Sequence, residues 1–174
     1  MNAASFDKIY FMLDTILRTS TLQRPTLENS IHYIAHTFSF LATGKDTDNA
    51  FALIHCYFRK GFTPPAHFHQ FEDESFYILE GEFDFHVGDK KYNATQGDFV
   101  VLPKGVPHQF KLVSDTAKAL LLITPAGFEE FFREFGRPAQ TLELPPVPGD
   151  VRKEMFDVMT KRMIELGNVM VPAF

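Results

Sequence analysis

The chain has 174 residues, 45% of them hydrophobic, enough for one domain with a sizeable core and too few for two ordinary ones. A single cysteine, Cys56, excludes a disulfide framework, a Cys-based zinc cluster and a CxxC redox pair. A formal charge of -5 argues against a nucleic-acid surface, and the apolar content is rich in Phe, with 20.

In chain order, Phe6, Ile9, Tyr10, Leu13, Ile16 and Leu17 fall at helical spacing behind Ser5, which predicts a short amphipathic helix over Ser5 to Arg18. Asp7, Lys8 and Asp14 interrupt this stretch, so it does not read as a signal peptide. No stretch reaches the roughly 20 apolar residues that span a bilayer. With one thiol and no export signal, a cytoplasmic protein without membrane partners is expected.

From about Ile31 to Pro125 the pattern is that of many short strands. Ile31 to Leu41 is rich in β-branched and aromatic residues and reads as a strand, so His32 and His36 are not taken as a helical metal pair. Phe51 to Phe58 follows, with either Ile54, Cys56 and Phe58 or Leu53, His55 and Tyr57 facing inward. Phe83, Phe85 and Val87 alternate with Glu82, Asp84 and His86, the period of a half-buried strand. Gly81, Gly88-Asp89, Gly97-Asp98 and Pro103-Lys104-Gly105 supply turns. Turn signals every 8 to 12 residues or so predict an antiparallel sandwich or barrel. Helices return at Phe128 to Phe135, with Phe128, Phe131, Phe132 and Phe135 on one face and Gly136 expected at C′. That face is expected to pack on the outside of the barrel or at a dimer interface. Pro145, Pro146 and Pro148 form a linker, and Asp150 is placed to cap a last helix ending near Gly167. The expected organisation is a helical extension over 1–25, a barrel over 26–126 and a helical segment over 127–174.

The chemistry gathers on four residues. His67 and His69 are two apart, so on a strand both imidazoles reach one side. Glu74 has the wrong parity for that face on an unbroken strand, but a turn through Phe71 to Asp73 resets the direction. His108 follows the Pro103-Lys104-Gly105 loop. Three imidazoles and a carboxylate suit a divalent first-row metal and leave positions open for substrate. Glu72 is a weaker candidate for the carboxylate. Phe76 and Ile78 share the parity of Glu74, and Phe110 that of His108. With Phe58 and Ile54 they suggest an apolar substrate pocket.

Gly61, His67, His69, Glu74 and Gly81 resemble the first motif of the cupins, with every spacing kept. Gly97, Pro103, Gly105 and His108 resemble the second, except that Leu112 stands where the pattern has asparagine. The resemblance implies an all-β fold, a double-stranded β-helix (jelly-roll cupin barrel), here with flanking N- and C-terminal helices. It implies one divalent transition metal (Fe, Mn, Ni, Co, Cu or Zn) held by His67, His69, Glu74 and His108. The middle of the chain and Thr124 to Phe132 look like single-domain bacterial cupins related to quercetin 2,3-dioxygenases. On that resemblance the expected function is a dioxygenase-like oxidoreductase for a small apolar or aromatic substrate, with Glu74 also acting as base. The alternatives are a non-oxidative isomerase, lyase or decarboxylase, or a ligand-binding module without turnover. A homodimer is expected from the resemblance and the excess of Phe.

Overall fold

The computed structural model describes residues 21–147, 149 and 153–174. The expected helix Ser5 to Arg18 and the cap at Asp150 lie outside them. Among the described residues, twelve strands form two antiparallel sheets. The seven-stranded sheet holds β1 (Ser30–Tyr33), β2 (His36–Ala42), β3 (Ala52–Arg59), β5 (Asp73–Glu80), β8 (Phe99–Leu102), β10 (Thr116–Thr124) and β11 (Arg137–Pro138), in the order β11-β1-β2-β3-β10-β5-β8. The five-stranded sheet holds β4 (His67–His69), β6 (Phe83–Val87), β7 (Lys90–Ala94), β9 (His108–Leu112) and β12 (Asn168–Met170), in the order β12-β4-β9-β6-β7. Three helices are described: α1 (Gly44–Thr47), α2 (Glu129–Phe135) and α3 (Lys153–Glu165).

The stretch Ile31 to Leu41 is a hairpin, not one strand. β1 and β2 pair from Ser30↔Ser39 to Tyr33↔His36, which leaves Ile34 and Ala35 as the turn. Ile34 takes φ of +56°, unfavourable for a β-branched residue. No Gly or Asn marks the turn in the sequence, so the usual signal for a two-residue hairpin is missing. His32 and His36 therefore sit on neighbouring strands, both buried.

β3 settles its own parity. Ile54, Cys56 and Phe58 point inward, and Leu53, His55 and Tyr57 are half-buried on the other face. β6 alternates as its sequence predicts, with Phe83, Phe85 and Val87 buried and Asp84 exposed. The turn between β5 and β6 needs its glycine. Gly81 has φ of +84°, and a Cβ there would lie 2.7 Å from a backbone oxygen of Thr116. Gly136 follows α2 but departs from the expected left-handed C′ geometry, with φ of −87°. Its lack of a side chain serves packing instead, because a Cβ would strike Ile31.

Phenylalanine rings join the two sheets. Phe58 of the large sheet meets Phe83 of the small one edge-on, with centroids 5.8 Å apart. Phe76 and Phe110 approach to 5.1 Å across the same gap. Such tilted and edge-on pairs are the favoured aromatic geometries and add to the burial of the rings themselves. Phe83 is fully buried and touches Phe58, Phe76, Phe85 and Phe110. Phe83→Ala is therefore expected to lower unfolding free energy by about 3–5 kcal/mol, read as a lower midpoint in urea denaturation with an unchanged slope.

Candidate metal centre

The site lies between the sheets at one end. β4 carries His67 and His69 with Phe68 between them, so alternation turns both imidazoles inward. β9 begins at His108, which pairs with His67 across the ladder. After His69 the chain turns through Gln70 to Glu72 and enters β5 in the opposite sheet. This crossing resolves the parity of Glu74: the histidines project from one sheet and the carboxylate from the other.

The loop ahead of His108 is tied to the same strands. Gly105 N–H donates to the carbonyl of His69 at 2.8 Å, and Lys104 N–H donates to the Asp73 carboxylate at 2.8 Å. The segments holding Gly61 to Gly81 and Gly97 to His108 thus meet at the site although far apart in sequence.

Each of His67, His69 and His108 offers one ring nitrogen within 4.8 Å of those of the other two. Glu74 Oε1 stands 3.5 Å from His69 Nε2, and Oε2 stands 3.9 Å from His108 Nε2. His67 Nδ1 lies 2.8 Å from the Pro65 carbonyl, and His108 Nδ1 lies 3.0 Å from the Val106 carbonyl. A carbonyl only accepts, so each Nδ1 carries the proton and each Nε2 keeps its lone pair. Both nitrogens of His69 and Nε2 of His108 are buried with no hydrogen-bond partner among the described residues. Buried unpartnered imidazole nitrogens facing a carboxylate fit a divalent ion of the borderline class.

The electrostatics suit the same purpose. Burial pulls His67 down to about 4 despite the nearby carboxylate, and burial lowers His108 as well. Burial also works against a charge on His69, but Glu74 and Glu72 outweigh it and raise that imidazole. Burial pushes Glu74 up, yet His69, His108 and His67 reverse this and hold the carboxyl at about 2. Glu72 takes no place among the four groups. Its Oε2 is 3.8 Å from Nδ1 of His69, on the side of the ring away from Glu74.

A cavity of about 110 Å³ opens beside His67 and Glu74. Of the expected pocket residues, Phe58, Phe76 and Phe110 line it, whereas Ile54 and Ile78 are fully buried and form no part of its wall. The helical Phe stripe, expected on the outside of the barrel or at a dimer interface, turns three of its four rings to the cavity. Phe128, Phe131 and Phe132 line the cavity, and Phe128 stands edge-on to the His69 ring at 4.8 Å. Met159 and Met163 of α3 complete that side. Their i, i+4 spacing was a usable sequence signal for an inward face. Tyr33 and His36 also line the cavity, and nothing local in the sequence announced either.

Residues 54–124 match the family described as a cupin domain. The chain is 30% identical over 112 residues to quercetin 2,3-dioxygenase of Bacillus subtilis (strain 168), an alignment covering 64% of this chain and 33% of that protein. The chain spans about a third of the length of the curated relatives it matches. Among solved structures, KdgF from Halomonas sp. superposes with a TM-score of 0.55 at 17% identity, over 64% of this chain and 99% of that one. A predicted oxalate decarboxylase from Thermotoga maritima gives 0.54 at 21%, over 60% and 99%. Over residues 54–124 the chain carries a cupin-domain match, and it is similar to quercetinase-like cupins. No helix among the described residues is long and apolar enough to cross a membrane.

His36 adds a pH dependence of its own. Its Nε2 donates to the Phe62 carbonyl at 2.9 Å, and its Nδ1 accepts from the Arg59 N–H at 3.1 Å. A proton on Nδ1 would break the second bond inside the core, and burial already lowers this imidazole to about 4. The unfolded chain, with an ordinary pKa near 6.5, takes up that proton first. The His36 contribution is therefore whole above about pH 6.5 and is lost as pH falls toward 4. Relative to a His36→Gln variant, the wild type is expected to lose about 2 kcal/mol more between pH 8 and pH 5, measured by urea unfolding at each pH.

Proposed function

We propose that this protein is a metal-dependent, dioxygenase-like cupin acting on a small apolar or aromatic substrate held between the two sheets of a jelly-roll barrel. The observation that carries the reading is the convergence of three buried imidazoles with a carboxylate at the wall of a Phe-lined cavity. Similarity over 112 residues to a quercetin 2,3-dioxygenase supports the oxidative chemistry over the other cupin activities.

In this reading His67, His69 and His108 would hold one divalent ion through Nε2, with Glu74 as the carboxylate ligand. Such an ion would supply Lewis-acid activation of a bound substrate. The protein does the rest. The carbonyls of Pro65 and Val106 hold His67 and His108 in the tautomer that presents Nε2. Phe58, Phe76, Phe110 and Phe128 exclude water and grip an apolar ring. Glu74 is the anionic acceptor facing the cavity, placed to take the proton of a substrate hydroxyl. With few polar groups in the wall, a sugar is a poor fit.

The test is reconstitution of apo-protein with Fe(II), Mn(II), Co(II), Ni(II), Cu(II) and Zn(II), each assayed for oxygen uptake with phenols and diketones. At least one ion is expected to support oxygen consumption. His67→Ala is expected to weaken metal binding by more than the roughly 100-fold that outer partners cost and to abolish uptake. Tight metal binding without oxygen consumption under any condition would remove the dioxygenase reading and leave a non-oxidative or ligand-binding cupin.

A further inference from the structure

β12 brings a polar side chain to the metal centre from far outside the cupin domain match at 54–124. Asn168 pairs directly with His69 across the β12-β4 ladder, and Met170 pairs with His67. Residues directly opposite in an antiparallel pair project to the same side of the sheet. Asn168 therefore points inward with His69, and it is 1% exposed. Its amide is unpartnered at both Oδ1 and Nδ2 among the described residues. Two further unpartnered buried atoms belong to its neighbours, Nδ1 of His69 and Oε2 of Glu72, which are 3.8 Å apart. Four such atoms on His69 and the two residues placed against it are unusual, because buried polar groups are almost always satisfied. They are also complementary. His69 offers a donor, Glu72 an acceptor and Asn168 one of each.

The segment is held in register by backbone bonds. Gln70 N–H donates to the Gly167 carbonyl at 3.0 Å, and Val171 N–H donates to the Ala66 carbonyl at 3.0 Å. Asn168 thus has a set position beside β4, on the strand next to the one that carries both histidines.

We infer that Asn168 and Glu72 are positioning residues that hold His69 from behind, as a polar clamp closed directly or through one buried water. In the clamp, Nδ1–H of His69 donates toward the Glu72 carboxylate, and the Asn168 amide donates to that carboxylate and accepts from the shared water. This orients the ring and leaves Nε2 free for the ion, the task an outer hydrogen-bonding partner performs for a metal-binding histidine. The inference rests on the metal-binding part of the proposed function and not on its oxygen chemistry. It gives the C-terminal strand a share in metal affinity, and it explains why an amide occupies a site where an apolar residue of the same size would fit.

Co(II) binding by Asn168→Leu and Glu72→Gln is the test, read by competition titration and by the Co(II) visible spectrum, beside thermal melting of the metal-free proteins. Leu matches Asn in size but leaves the buried Glu72 carboxylate one donor short, so the apo Asn168→Leu protein is expected to fold and to melt modestly below the wild type. Its Co(II) affinity is expected to fall about 10–100-fold, with a similar fall for Glu72→Gln. Because both act through His69, the double variant is expected to lose no more than the larger single loss. Affinities within twofold of wild type in both variants, or losses that add in full, would overturn the clamp while leaving metal binding intact. Failure of the wild type to bind any of the six ions would overturn the metal reading and the clamp with it.

Discussion

The architecture turns on one electrostatic constraint: a carboxylate that stays ionised between two sheets packed with phenylalanine. An isolated charge in such an interior is strongly disfavoured. Glu74 is only 6% exposed, and it is tolerated because His69 and His108 stand within 4 Å of its two oxygens. The imidazoles in turn need groups behind them, which the carbonyls of Pro65 and Val106 supply for two of the three. The positions of β4, β5 and β9 follow from this arrangement, since moving any one strand by a residue would turn its polar group into solvent or into the Phe core.

The second constraint is closure of the cavity. The cupin match ends at residue 124, yet much of the cavity wall comes from later elements. α2 and the Phe128 that precedes it contribute three Phe side chains, and α3 two Met. Glu129 at the start of α2 is fully buried and accepts hydrogen bonds from the backbone N–H groups of Gly44 and Gly127. That ties the helix to the start of α1 and holds Phe128 against His69. The apolar character of the pocket therefore belongs to this chain's C-terminal segment as much as to the two sheets.

Much of this was legible in the linear pattern, and for a physical reason. Alternation in β6 and the Phe spacing of α2 are local periodicities, and burial of one face follows from them directly. The spacings around His67, His69, Glu74 and His108 were equally readable. Three features were not. The turn at Ile34 is imposed by the pairing of β1 with β2 and lacks a turn residue. The parity of β3 was open because both of its faces are apolar or aromatic, and only the opposing sheet decides which is core. Asn168 has no local distinction at all; it matters through the strand it happens to pair with.

The division is therefore between local and long-range physics. The twenty phenylalanines, the alternating strands and the ligand-like spacing are properties of neighbouring residues, and the sequence alone determined them. Which phenylalanines face the cavity, why Glu74 approaches from the opposite sheet, and what stands behind His69 depend on contacts between segments as much as a hundred residues apart. Those contacts are set by how two sheets and a C-terminal segment share one buried volume, a constraint that no short window of sequence contains.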